Sequence, residues 1–167
     1  MRTRSTTVFA SFLVCSLSGV GCDSGSGPAA IEPLFPADYA TTYQEVRPCR
    51  AQASPDHDLH YVRILADPAA VGPFQKRDVP FPVGAVVLKE EYENEGCKDL
   101  VLWTAMRQEA AGYDPTTGDW HWQAVNKDRT VKDDGLVKRC AGCHRACNPE
   151  VPGDQTGYRF TCSWPGG

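Results

Sequence analysis

The sequence predicts an α+β fold, mainly an antiparallel β-sheet with short helices packed on it. Three observations carry that prediction. Two apolar, β-branched runs, FPVGAVVLKEEY at 81–92 and DLVLWTAMRQE at 99–109, flank the polar ENEGCK, as two antiparallel strands flank their connection. A third run, DWHWQAV at 119–125, is entered through the turn DPTTGD. The stretches with helical character are short and open at prolines, which suit a first helical turn.

Taken in chain order, PADYATTYQEV at 36–46 reads as a short helix. Pro36 fits its first turn, Tyr39 and Tyr43 share a face, and Pro48 ends it. RAQASPDHD is turn chemistry, and LHYVRIL at 59–65 is a strand. DPAAVGPF begins a brief helix, with Asp67 as N-cap and Pro68 in the first position. The three strands above follow. From Asp133 onward Gly, Pro and Cys rise and regular patterning fades. No internal repeat is present.

The 167 residues suffice for one ordinary domain, and the start does not read as part of it. MRTR is a basic leader to the apolar TTVFASFLVCSLSGVG, a secretory signal too short for a stable membrane span. A small residue before Cys22, then DSGSGPAA, predicts a lipoprotein cleaved and acylated at Cys22, although Gly19 stands where such signals carry Leu. The expected organisation is a signal peptide at 1–21, a flexible linker at 22–33 and a folded domain at 34–167. Processing would remove Arg2 and Arg4, leaving 15 basic against 21 acidic side chains. That balance, with no long basic run, argues against nucleic acid as a partner. A periplasmic or envelope location follows from the signal.

Eight cysteines include Cys15 in the signal and Cys22 at the lipid site. Six thiols in an oxidising compartment need partners. Within RCAGCHRAC, Cys140-Ala141-Gly142-Cys143-His144 is the CxxCH spacing of covalent haem. Cysteines three apart on a tight helical turn can each bond one haem vinyl group, and the next residue can present an imidazole to the iron. Zinc on Cys140, Cys143, His144 and Cys147 would crowd four ligands into eight residues, two of them adjacent. Disulfides alone would leave His144 without a role. The reading adopted is one covalent haem c per chain, with His144 as the iron ligand, near the C-terminus. Four cysteines then remain. Cys147 and Cys162 share the irregular tail, Cys49 and Cys97 lie at strand edges, and those are the expected disulfides.

The order of a Tyr-containing opening helix, VRILADPAA, FPVGAVVLKEEY, a WHW strand and CAGCH resembles the cytochrome P-460 family and the related cytochrome c′-beta proteins. The resemblance runs from about Leu34 to Phe160. It implies a mainly antiparallel sheet with short helices, frequent dimers and a five-coordinate haem iron. It also implies that Lys89, in the Lys-Glu pair, becomes bonded to the porphyrin and serves catalysis, as in members that oxidise hydroxylamine, with nitric oxide chemistry close by. A small nitrogen-containing molecule and a periplasmic electron acceptor are the implied partners. The cytochrome c′-beta proteins lack the cross-link and bind diatomic gases.

One departure stands out. The family's distal carboxylate comes from the strand after the Lys-Glu strand, and here no acid lies between Leu100 and Gln108. Glu109, His57, His60 and His121 are other candidates for a base. Met106, expected on one face with Leu100, Leu102 and Thr104, could instead fill the sixth iron position and make an electron carrier. Trp103, Trp120 and Trp122 read first as core, a reading that overlaps with the apolar wall a haem needs. A disulfide-stapled binding domain without haem is the remaining alternative.

Overall fold

A computed structural model describes residues 29–52, 61–147 and 158–163. The expected signal, Cys22, His57 and His60 lie outside the described residues. The unit from Ile31 onward holds a six-stranded antiparallel sheet in which spatial order equals chain order: β1 Gln44–Ala51, β2 Tyr61–Ala66, β3 Val86–Tyr92, β4 Leu100–Gln108, β5 Trp120–Asn126 and β6 Val131–Gly135. Helix α1 Tyr39–Thr42 precedes the sheet, α2 Pro68–Lys76 bridges β2 and β3, and α3 Lys138–His144 follows β6. The expected α+β class and three central strands are present.

Two strands depart from expectation. The opening helix stops at Thr42, and Gln44 onward is β1, with Pro48 inside it. An edge strand tolerates proline because one side of its backbone needs no ladder partner. The register explains the rest. Glu45 pairs with Leu65, Arg47 with Ile64 and Arg50 with Val62, so an extra residue sits on either side of Arg47, and Pro48 falls in the second bulge. The other edge, VKDDG, is too charged to read as a strand from alternation, and its charges are what protect an exposed edge. The tail keeps more order than its composition suggests, since α3 is built on the CxxCH segment itself.

Alternation divides the core. On one face, Ile64, Ala66, Val87, Met106, Trp120 and Trp122 are buried under Ala70 and Phe74 of α2, under Phe81, and under Phe160, with Cys140 and Ala141 packed against them. On the other, Leu65, Leu88, Trp103, Ala105 and Val125 lie beneath Phe35 and Tyr39. Asp67 caps α2 through Ala70 N–H at 2.7 Å. Leu100 does not share Met106's face. Tyr92 pairs with Leu100 while Glu91 pairs with Leu102, so Val101 is a bulge and Leu100 turns to the second cluster. At the N-terminal side, Gln123 accepts from Leu34 N–H at 2.8 Å and donates to the Glu32 carbonyl at 3.0 Å, so order already begins inside the expected linker.

Candidate functional site

Lys89 lies in the middle of β3 rather than at its end. Its row crosses the sheet as Ile64, Lys89, Thr104 and Ala124, and the next row carries Arg50, Val62, Glu91 and Leu102. Period two therefore pairs Lys89 with Glu91, while Glu90 points to the opposite face. Glu91 is buried, and its Oε1 accepts from the Thr104 hydroxyl at 3.1 Å. Lys89 is half-buried. Loss of water pulls its ammonium down to about 8; Glu91 opposes that shift, Arg50 adds to it, and the Cys140 sulfur is close enough to act on the same amine.

Helix α3 brings the motif to this face. Cys140 is half-buried, Cys143 is exposed, and neither enters a disulfide. Burial pushes the Cys140 thiol above its ordinary range. Cys49 is bonded to Cys97 and Cys147 to Cys162. The zinc arrangement thereby loses Cys147, and among the described residues no group of three or more His, Cys, Asp or Glu could hold a metal ion.

His144 is oriented by backbone. Its Nδ1 lies 2.5 Å from the Phe160 carbonyl, which can only accept, so Nδ1 carries the proton and Nε2 the lone pair. Trp122 and the imidazole meet in a T-shaped arrangement with ring centroids 4.7 Å apart. Phe160 is itself held by its surroundings. Trp120 Nε1 donates to the Arg159 carbonyl at 3.0 Å, and a Cβ on Gly118 would stand 2.5 Å from the Phe160 ring. Arg159, Phe160 and Cys162 have φ of 45°, 67° and 50°, left-handed values that L-residues adopt only when their surroundings enforce them.

The remaining candidates fall elsewhere. His121 points to the opposite face, with Nε2 2.8 Å from Asp134 and Nδ1 3.4 Å from Glu109, and it stacks on Tyr113. Glu109 is also gripped by Arg107 at 2.7 Å. Met106 is buried in the first cluster, between Val87 and Trp122 in register. Trp103 belongs to the other face. Glu91 and the arginines of β1 did not figure among the sequence candidates. Alternation could have found Glu91, whereas the arginines fell where the expected helix passes into the expected turn, and no strand was read there.

Residues 36–150 match the family model for cytochrome P460. The chain belongs to the cytochrome P460 family. No curated protein matches it. A haem cofactor of the c type goes with this family, and the face just described suits one. It offers two thiols outside any disulfide, an imidazole in the tautomer that ligates through Nε2, and apolar walls at Met106, Val87 and Trp122. It also has two buried donors without acceptors among the described residues, Trp122 Nε1 and Arg50 Nη1, on the side where such a group would complete the packing.

Proposed function

We propose that this chain is an exported monohaem c-type cytochrome with an open haem site for small nitrogen compounds, hydroxylamine or nitric oxide. Cys140 and Cys143 hold haem c by thioethers, one per chain, and His144 Nε2 is its protein iron ligand. When bound, the haem supplies an iron that can bind such a molecule and accept its electrons. The observation that carries this reading is Lys89 beside a buried carboxylate, Glu91, on the sheet face shared with Cys140.

The protein's own part is positioning and proton handling. The Phe160 carbonyl fixes the His144 ring. Lys89, its basicity lowered by burial, faces the haem ring as a largely neutral amine above about pH 8. Oxidising hydroxylamine removes protons along with electrons, and Glu91, positioned by Thr104, takes the protons that the acid-free β4 cannot. Electrons pass to a periplasmic acceptor, with the chain tethered to the envelope through Cys22.

The test is expression with the native signal in a host competent for c-type maturation, followed by mass and optical spectra of both oxidation states. Covalent haem with high-spin iron and a strongly red-shifted reduced band is the expected outcome. An ordinary low-spin spectrum would mean a filled sixth position and an electron carrier; no covalent haem would overturn the reading. Replacing Glu91→Gln should leave the spectrum unchanged and slow hydroxylamine oxidation about 100-fold. Unchanged turnover would remove Glu91 from the mechanism.

A further inference from the structure

The sheet face that carries Lys89 also gathers positive charge at its β1 end. In a regular strand, residues three apart point to opposite sides. The bulge at Pro48 instead brings Arg47 and Arg50 to one side, in register with Ile64 and Val62. Arg47 is 3% exposed, and its guanidinium lies over the Phe74 ring of α2 at 5.9 Å. Arg77, which closes α2 in the left-handed conformation, is near enough to act on Arg47. Burial and the neighbouring Arg50 and Arg77 all weaken Arg47's hold on its proton, and burial does the same to Arg50. Lys89 adds a fourth basic group, and Glu91 is the carboxylate in register with Arg50. Arg50 Nη1 is buried and meets no acceptor among the described residues.

Desolvated guanidinium groups are stable where an anion completes them, and carboxylates fit their planar fork best. We propose that Arg47, Arg50 and Arg77 form the seat for the carboxylates of the haem. The inference rests on the haem reading above. A haem tied through its vinyl edge carries its two carboxylates on the edge away from the tether. Cys140 packs against the Ile64 and Val87 side of the sheet and acts on the Lys89 amine of β3, and from β3 to β1 is two strand spacings, roughly 10 Å, a distance of the order of the macrocycle's width. A free oxyanion such as nitrite would use the same chemistry, and the experiment separates the two.

The holoprotein is first checked for covalent haem by mass and by its pyridine haemochrome. Resonance Raman spectra in the propionate-bending region and the midpoint potential between pH 5 and 8 are then compared for the native chain, Arg50→Gln, Arg77→Gln and the conservative Arg50→Lys. The expected result is a shifted propionate band in both glutamine variants, largely restored in Arg50→Lys. Their potential should also fall, because a lost positive charge favours ferric iron, and it should become pH-dependent as carboxylates no longer held ionised take up protons. An unmoved band and pH profile, with nitrite binding weakened tenfold or more, would make the cluster a free oxyanion site and overturn the proposal. No change in any readout would make the cluster purely structural, which overturns the proposal equally. A native chain without covalent haem would fail at the first check and bring down the underlying reading as well.

Discussion

Strand β3 shows its two neighbouring acids to opposite faces, and the contrast between those faces separates structure from function. Glu90 is 2% exposed and fully engaged. It accepts from Tyr39 at 2.7 Å, Tyr92 at 2.7 Å and Arg63 at 2.6 Å, while Trp103 donates to the Tyr39 oxygen at 3.0 Å. Burial, and then the bond to Glu90, push Tyr39 up to about 12, and Glu90 in turn raises Arg63. One residue on, Glu91 shares its face with Lys89, with the β1 arginines and with buried donors that meet no acceptor among the described residues. Both faces bury charge. One completes its hydrogen bonds from within the chain, and the other has donors placed for a group brought from outside.

The largest test cuts one charge from each face in a haem-free background, Cys140→Ala with Cys143→Ala. Glu90→Ala should cost about 3 kcal/mol in urea unfolding, the low end for breaking a buried pair, because the Arg63 side chain is 35% exposed. Arg50→Leu should change stability by less than about 1 kcal/mol, since it removes a buried donor with no acceptor to lose. Equal losses would erase the distinction between the faces.

A smaller effect sharpens it at the tail. Gly118 has φ +70°, and its missing Cβ leaves room for the Phe160 ring. Gly118→Ala should cost about 2 kcal/mol, from backbone strain and the forced shift of Phe160 together. It should also broaden the haem spectrum, because the Phe160 carbonyl orients His144. Equal destabilisation with an untouched spectrum would show that His144 does not depend on that carbonyl.

How much of this was legible in the sequence depended on whether the signal was local. Alternation in VVLKEEY and LVLWTAMRQ located β3 and β4, cysteine spacing marked the motif, and shared location in the tail or at strand edges suggested the pairs Cys147–Cys162 and Cys49–Cys97. Pro48 read as the end of a helix, because the edge-strand position that makes proline harmless is a tertiary fact. The Lys-Glu dipeptide singled out Lys89 alone, whereas a strand also sets Glu91 beside it. Leu100 was misplaced by a bulge that no composition announces. The grip of Phe160 on His144 spans sixteen residues and a disulfide, and its own sequence carries no trace of it.

The smallest effect concerns Lys89, which titrates near 8 against an ordinary 10.5. Between those values the unfolded chain binds more protons than the folded one, so this group makes stability rise with pH across about 8 to 10.5. Below 8 the cost of burying the ammonium is fully present. In the haem-free background Lys89→Met should therefore be the more stable at pH 7, by about 1 kcal/mol once the half-buried position is discounted for solvent. The gap should close as pH rises toward 10.5. Glu91 limits the effect and Arg50 enlarges it, so Glu91→Gln should widen the gap at pH 7. A difference that stays constant with pH would mean that the folded chain leaves Lys89 as basic as the unfolded one. The amine would then stay protonated up to about pH 10.5, and the face would lack a neutral amine between about 8 and 10.5.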